Sequence, residues 1–363
     1  MFLLDIHPNI IVAFLLSLII SIYITRSVIR YSLRVGLGDK PGESRKIHTK
    51  RTPNMGGIAV FIATFVSYFA FVEYQDTIRP DKIFSICILL FFVGVKDDLE
   101  PISPKFRLFV EFALAFFVIY ISDIRLVTLW GIFGIQILPL WASYILSATF
   151  IVACINAYNL IDGIDGLLGS ISLLGAICFG LLFNFLGDWL WTLLCVSLTG
   201  ALIGFLIFNW HPAKVFMGNG GALFLGAIFA CFSLRLMQMT DPIYYETIQI
   251  TAPHTLAFSI VAIPFVDLLC VFSYRILHWL PPFAADNSHI HHRMLRIGLK
   301  HDRATISLIV LNIIIIAFAF LIQGTGALRS FIFTVCFAVA VDIIFFYIEW
   351  QIKIYKRRKS LKA

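Results

Sequence analysis

The sequence predicts an all-α, polytopic integral membrane protein with about eleven transmembrane helices, and three observations carry that prediction. Of 363 residues, 60% are apolar and 13% are charged, where soluble domains carry about 25% charged residues. Apolar runs close to bilayer-spanning length recur along the whole chain. Basic residues crowd into alternate loops between those runs. Together these exclude a water-soluble globule, a disordered chain and a disulfide-stapled secreted domain. A transporter, a channel, a receptor or an intramembrane enzyme remains.

The spans fall at roughly 10–25, 57–73, 82–96, 108–122, 141–158, 166–186, 189–208, 220–239, 255–274, 305–322 and 328–350. Only Gly187 and Asp188 separate the sixth from the seventh, so ten is the alternative count. The first run has no basic n-region and ends in TRSVIR instead of a small-residue cleavage site, which reads as a retained helix. All seven cysteines lie in apolar stretches without metal or redox spacing, as core hydrophobes do. Residues 1–352 read as one multi-span domain and 353–363 as a basic tail. Of the 28 Lys and Arg residues, all but Arg79, Lys82, Arg125, Arg235 and Arg329 belong to one alternating set of loops. Such residues are retained in the cytoplasm, so the N-terminus is expected outside and the C-terminus inside. The net charge of +7 thus marks membrane orientation, with no nucleic acid expected.

With that orientation the polar clusters all share the cytoplasmic face. KDDLEPISPKFR (96–107) sets adjacent carboxylates at a helix exit, an arrangement that suits a hard cation or a base, or a plain solvated loop. In NAYNLIDGIDGL (156–167), Asn156, Asn159, Asp162 and Asp165 repeat every third residue and would form one row on a helical path, more polar groups than a helix cap needs. HPAKVFMGNGGALFLG (211–226) opens a helix with glycines; it lacks the Walker A ending and fits tight helix packing better than a phosphate cradle. SHIHHRMLR (288–296) lacks familiar zinc spacing and suits diphosphate oxygens. RKIHTKRTPNMGG (45–57) reads as an anchor at anionic lipid, with Pro53, Gly56 and Gly57 turning against the second helix. Asp267, inside the ninth span, is a functional candidate by its position alone. Glu111 pairs with Arg107 at i, i+4 spacing, and Asp342 has no evident partner.

RKIHTKRTPNMGG, VKDDLEPISPK, NAYNLIDGIDGL, FNWHPAKVFMGNGG and SHIHHRMLRIGL, in this order over roughly residues 40–300, resemble the bacterial polyprenyl-phosphate N-acetylhexosamine-1-phosphate transferases. The resemblance implies transfer of a sugar 1-phosphate from a UDP-N-acetylhexosamine to undecaprenyl phosphate with release of UMP. It also implies Mg²⁺ or Mn²⁺, a cytoplasmic cleft and the bacterial cytoplasmic (inner) membrane, with a homodimer allowed. By motif position it makes Asp97, Asp98, Asp162 and His291 catalytic. Lys105, Asn159, Asp165, Asn209, Phe216, His289, His292, Arg293 and His48 fall to substrate, and Asp98, Asp162 and position 219 to metal.

The HIHH form resembles the GlcNAc-1-phosphate branch; the MurNAc-pentapeptide branch is the runner-up, and UDP-GalNAc or a modified hexosamine stays open. Three positions depart from the family pattern: Asn219 where Asp is expected at the metal, Ala222 for Ser, and Glu111 for Gln. Asn219 implies either an inactivated variant or a member with weakened metal use, since an amide lacks the charge a hard cation favours. A transporter reading would rest on Asp267 and midplane breaks, but no internal repeat is apparent. A membrane scaffold gives no reason for four separate polar clusters.

Overall fold

A computed structural model describes residues 8–36, 52–72, 80–129, 131, 134–239, 250–280 and 288–360. His48 and most of its loop lie outside the described residues. Thirteen α-helices follow one another among them: α1 Pro8–Val35, α2 Gly57–Phe71, α3 Phe84–Leu99, α4 Pro104–Ser122, α5 Leu140–Ile161, α6 Leu167–Phe185, α7 Trp189–Asn209, α8 Gly218–Gln238, α9 Pro253–Ile260, α10 Ala262–Leu277, α11 Ile290–Ile297, α12 His301–Ile322 and α13 Ala327–Ser360. An isolated β-bridge joins Thr128 and Ile137.

Each predicted apolar stretch is helical, and seven helices (α1, α5, α6, α7, α8, α12 and α13) are long and apolar enough to cross a membrane. α2 is a shorter apolar helix. The predicted ninth span is divided into α9 and α10, which meet at a 77° bend. Within that bend lies Val261, and Pro264 follows it in the first turn of α10, where a missing N–H costs nothing. α11, the HIHH segment, is a short amphipathic helix outside the predicted spans.

α8 is the hub, apolar on every side and almost wholly buried. Its N-terminal glycines bring neighbouring backbones unusually close: a Cβ on Gly94 of α3 would lie 2.5 Å from the Gly220 Cα, and one on Gly57 of α2 would lie 2.4 Å from the Gly221 Cα. Small residues are what permit helices to meet this tightly where lipid gives no hydrophobic drive. The PNMGG turn closes against the segment before α8 instead of against α2: Phe216 N donates to Pro53 O (2.8 Å), and Gly56 N and Gly57 N donate to Phe216 O (2.9 Å) and Met217 O (2.8 Å). The C-terminal ends of α3, α5 and α7 and the N-terminal ends of α4, α6 and α8 therefore meet at one end of the bundle.

Candidate active site

The adjacent aspartates at the end of α3 have different tasks. The first N–H groups of any helix lack intrahelical acceptors, and Asp98 supplies them for α8: Asn219 N donates to its Oδ1 (3.0 Å) and Gly220 N to its Oδ2 (3.2 Å). The glycine-rich entry is thus capped by a carboxylate. Asp97 is held from the other side, its Oδ1 by Ile102 N (2.7 Å) and its Oδ2 by Arg107 Nη1 (3.2 Å) and Asn219 Nδ2 (3.1 Å). Arg107 also reaches Glu111, whose second oxygen accepts from Asn156 Nδ2 at 2.6 Å. The i, i+4 pair expected from sequence is present, and Asn156, expected in the polar row, belongs to it.

That row breaks because α5 stops at Ile161, and Asp162 leaves the helical region at its C-cap with ψ of 58°. Asp162 is half-buried and receives the Gly218 N–H. Burial and the nearby Asp98 carboxylate push its pKa up to about 7, against the Gly218 hydrogen bond. Asp98, Asp162 and Asn219, the metal candidates, accordingly converge on the start of α8. Two carboxylates that disfavour each other's ionisation, beside an amide oxygen, form a donor set that fits a hard cation.

Asp165 turns inward. Its Oδ2 faces His211 Nδ1 (2.7 Å) and accepts Ala213 N (3.1 Å), its backbone N–H reaches His301 Nδ1 (3.3 Å), and Thr305 donates to its carbonyl (3.0 Å). This clasp ties the α5–α6 loop to the α7–α8 loop and the start of α12. Asp165, His211 and His301 also bring one potential ligand atom each within 4.8 Å of one another, a second grouping that could hold a metal ion, with the two rings stacked at 5.2 Å and 27°. Asn209 is likewise buried, its amide donating to Val215 O (2.8 Å). Neither histidine stood out in the sequence, where each is one residue in a polar loop.

Despite its burial, Asp165 has its pKa held below the usual carboxylate range by the adjacent His301 ring and by its contacts with His211 and the Ala213 N–H. A depressed folded value gives stability that is present above the unfolded pKa near 4 and lost as pH falls through the folded one. Asp165→Asn should therefore cost about 2–3 kcal/mol at pH 7, with the gap to wild type narrowing below about pH 4. Thermal midpoints in detergent across pH check this; a gap that does not change with pH would show that the charge plays no part.

The histidine segment is held between two membrane helices. Asp267 of α10 binds its start, and Arg293 pairs with Asp342 of α13 (2.9 Å) and lies over the Phe346 ring (5.5 Å). Arg296 pairs with Glu349 (2.6 Å). Asp342 therefore has a partner, and Arg293, a substrate candidate from the sequence, is buried and paired with it. His291 is 1% exposed, and neither ring nitrogen has a hydrogen-bond partner among the described residues. Its ring lies against Gly163, where an added Cβ would collide with Nε2. Burial, then the neighbouring His292, His289, Arg296 and His301, hold its pKa well below the usual histidine value, so the ring is neutral at pH 7. A buried neutral imidazole with unused nitrogens beside Asp162 is equipped to hydrogen-bond a ligand. Among the remaining candidates Lys105 is exposed on the first turn of α4, while Asn159, Phe216 and His292 are half-buried.

A family model described as "Glycosyl transferase family 4" matches residues 82–237. The chain is 32% identical over 342 residues to the probable undecaprenyl-phosphate N-acetylglucosaminyl 1-phosphate transferase of Bacillus subtilis, covering 93% of this chain and 90% of that protein. The undecaprenyl-phosphate alpha-N-acetylglucosaminyl 1-phosphate transferase of Yersinia pestis is 31% identical (83% and 80% covered). That of Salmonella typhi is 32% identical (80% and 78%).

Proposed function

Because the chain belongs to the undecaprenyl-phosphate N-acetylglucosaminyl 1-phosphate transferase family, we propose that it moves N-acetylglucosamine 1-phosphate from a UDP-sugar to undecaprenyl phosphate, initiating a lipid-linked envelope glycan. A lipid phosphate oxygen bonds to the β-phosphorus, the bond from that phosphorus to the bridging oxygen breaks, and UMP leaves. The observation that carries this is the meeting of Asp98, Asp162 and Asn219 at the start of α8 with the unpartnered His291 beside Asp162. Phosphoryl transfer depends on positioning and charge neutralisation, which such a set provides.

Asp98, Asp162 and Asn219 would hold Mg²⁺, or Mn²⁺, which when bound neutralises diphosphate charge. Asp97, fixed by Arg107, orients the acceptor, whose phosphate monoester is already largely dianionic at neutral pH. His291 donates a hydrogen bond to the diphosphate, flanked by His289 and His292, and Lys105 offers a mobile positive charge. Asn159 and Phe216 border the nucleotide, while Asp165 and Asn209 shape that pocket through the loops they hold.

The test is UMP release by purified protein with undecaprenyl phosphate and a panel of labelled UDP-sugars. UDP-GlcNAc should be the preferred donor. Preference for the MurNAc-pentapeptide donor, or lipid-independent loss of substrate, would overturn the reading.

We further place eleven crossings in a bacterial inner membrane, with the N-terminus outside and the C-terminus and site cytoplasmic. The partition of basic residues supports this. In a cysteine-free background, impermeant maleimide on intact cells should label a cysteine at 324 and spare those at 100 and 290. Labelling at 100 or 290 would refute the orientation.

A further inference from the structure

Asp267 lies in α10, 3% exposed, where an unpaired carboxylate would be costly. Both of its oxygens reach the start of α11. Oδ1 accepts the Ile290 N–H at 2.8 Å, and Oδ2 faces His289 Nδ1 at 2.8 Å. These contacts differ in what they require. Capping Ile290 needs only an acceptor, a task an amide oxygen performs as well as a carboxylate. The His289 contact needs a proton on Nδ1, because a carboxylate offers lone pairs alone, and so it fixes the tautomer and plane of the ring.

The ring fixed in this way is the first of a row. His289 and His291 lie 5.9 Å apart with planes only 7° from parallel, and His291 and His292 are 4.2 Å apart. The row passes His291, the buried ring with two unused nitrogens that rests on Gly163 next to Asp162. Arg293 anchors the far side of the same short helix to Asp342. We propose that Asp267 is a positioning residue for the transfer reaction: through the His289 ring it sets the orientation of His291, over and above capping α11. This rests on the reading of His291 as a substrate contact.

Asp267→Asn separates the two tasks in the full-length protein. The amide oxygen still accepts from Ile290, while the –NH₂ group meets Nδ1 as a donor and reverses the tautomer. The expected result is a kcat lowered about 10- to 100-fold, the scale on which carboxylate partners of functional histidines act. KM for both substrates should stay within about threefold and the thermal midpoint within a few degrees. His289→Ala should lower kcat comparably, and the Asp267→Asn/His289→Ala double variant should be no slower than His289→Ala alone, because the two residues act in series. Turnover of Asp267→Asn within twofold of wild type, or multiplied losses in the double variant, would overturn the proposal. If Asp267→Asn does not fold, an unimpaired His289→Ala variant overturns it as well.

A wild-type protein that transfers no sugar phosphate would instead sink the functional reading. Nitrogen-15 spectra of histidine-labelled protein decide the present point independently. Asp267→Asn should move the proton of His289 from Nδ1 to Nε2 and shift the His291 signals; unchanged His291 signals count against it.

Discussion

Asn219→Asp should raise turnover about 10²- to 10³-fold in Mg²⁺, the effect of regaining roughly 3–4 kcal/mol of transition-state stabilisation. It should also make the rate depend more steeply on metal. Position 219 stands between the carboxylates of Asp97 and Asp98: its side-chain amide donates to Asp97 and its backbone N–H to Asp98. An aspartate there loses the amide donor and adds a negative ligand beside Asp162, which a divalent cation rewards. Without the cation the same change places like charges together, so the variant in EDTA should be less stable than wild type by about 1–3 kcal/mol. Opposite signs in the two conditions identify a metal ligand. A Mg²⁺ titration of UMP release and thermal midpoints with and without chelator measure both. Equal rates and equal metal dependence would remove position 219 from the metal site and leave it to Asp97, Asp98, Asp162 and Asp165.

Gly163→Ala should lower kcat by about 10²-fold or more through one methyl group. Gly163 is exposed and its φ is not positive, so its backbone accepts alanine. The conflict is with His291, whose Nε2 occupies the place of the new Cβ. The ring must move, and a shift near 1 Å in a positioned group costs about 10²-fold in rate. The thermal midpoint should also fall, because displacing the buried His291 ring costs about 1–3 kcal/mol. In a His291→Ala background the same substitution should cost almost nothing further, because the colliding ring is gone. Full activity of Gly163→Ala would mean that His291 does not need its place above Asp162.

The apolar helices were legible because composition and run length decide them, and seven of them are long and apolar enough to cross a membrane, eight if the bent pair α9 and α10 is one span. Helix ends were less so. The three-residue repeat from Asn156 to Asp165 looked like one polar row, yet the chain leaves the helix at Asp162 and sends Asn156 to Glu111 and Asp165 to His211. Periodicity describes a helix only while it lasts. Partnerships between distant segments were illegible for a different reason: Asp267 with His289, Arg293 with Asp342 and Asp165 with His301 join residues whose spacing carries no local signal. An ionisable residue inside a span does announce that it needs a partner. It does not say which.

The glycine seams around α8 also bear on biogenesis. Seven helices emerge from the ribosome before α8, and among them α2 and α3 carry glycine faces at Gly57 and Gly94 that match no other described helix so closely. Without α8 those faces lack the backbone they fit, and lipid packs poorly into a cleft shaped for a backbone. A nascent chain halted before residue 218 therefore lacks the backbone that Gly57 and Gly94 are shaped to meet. Completion of α8 is the step at which the early helices gain their shared partner.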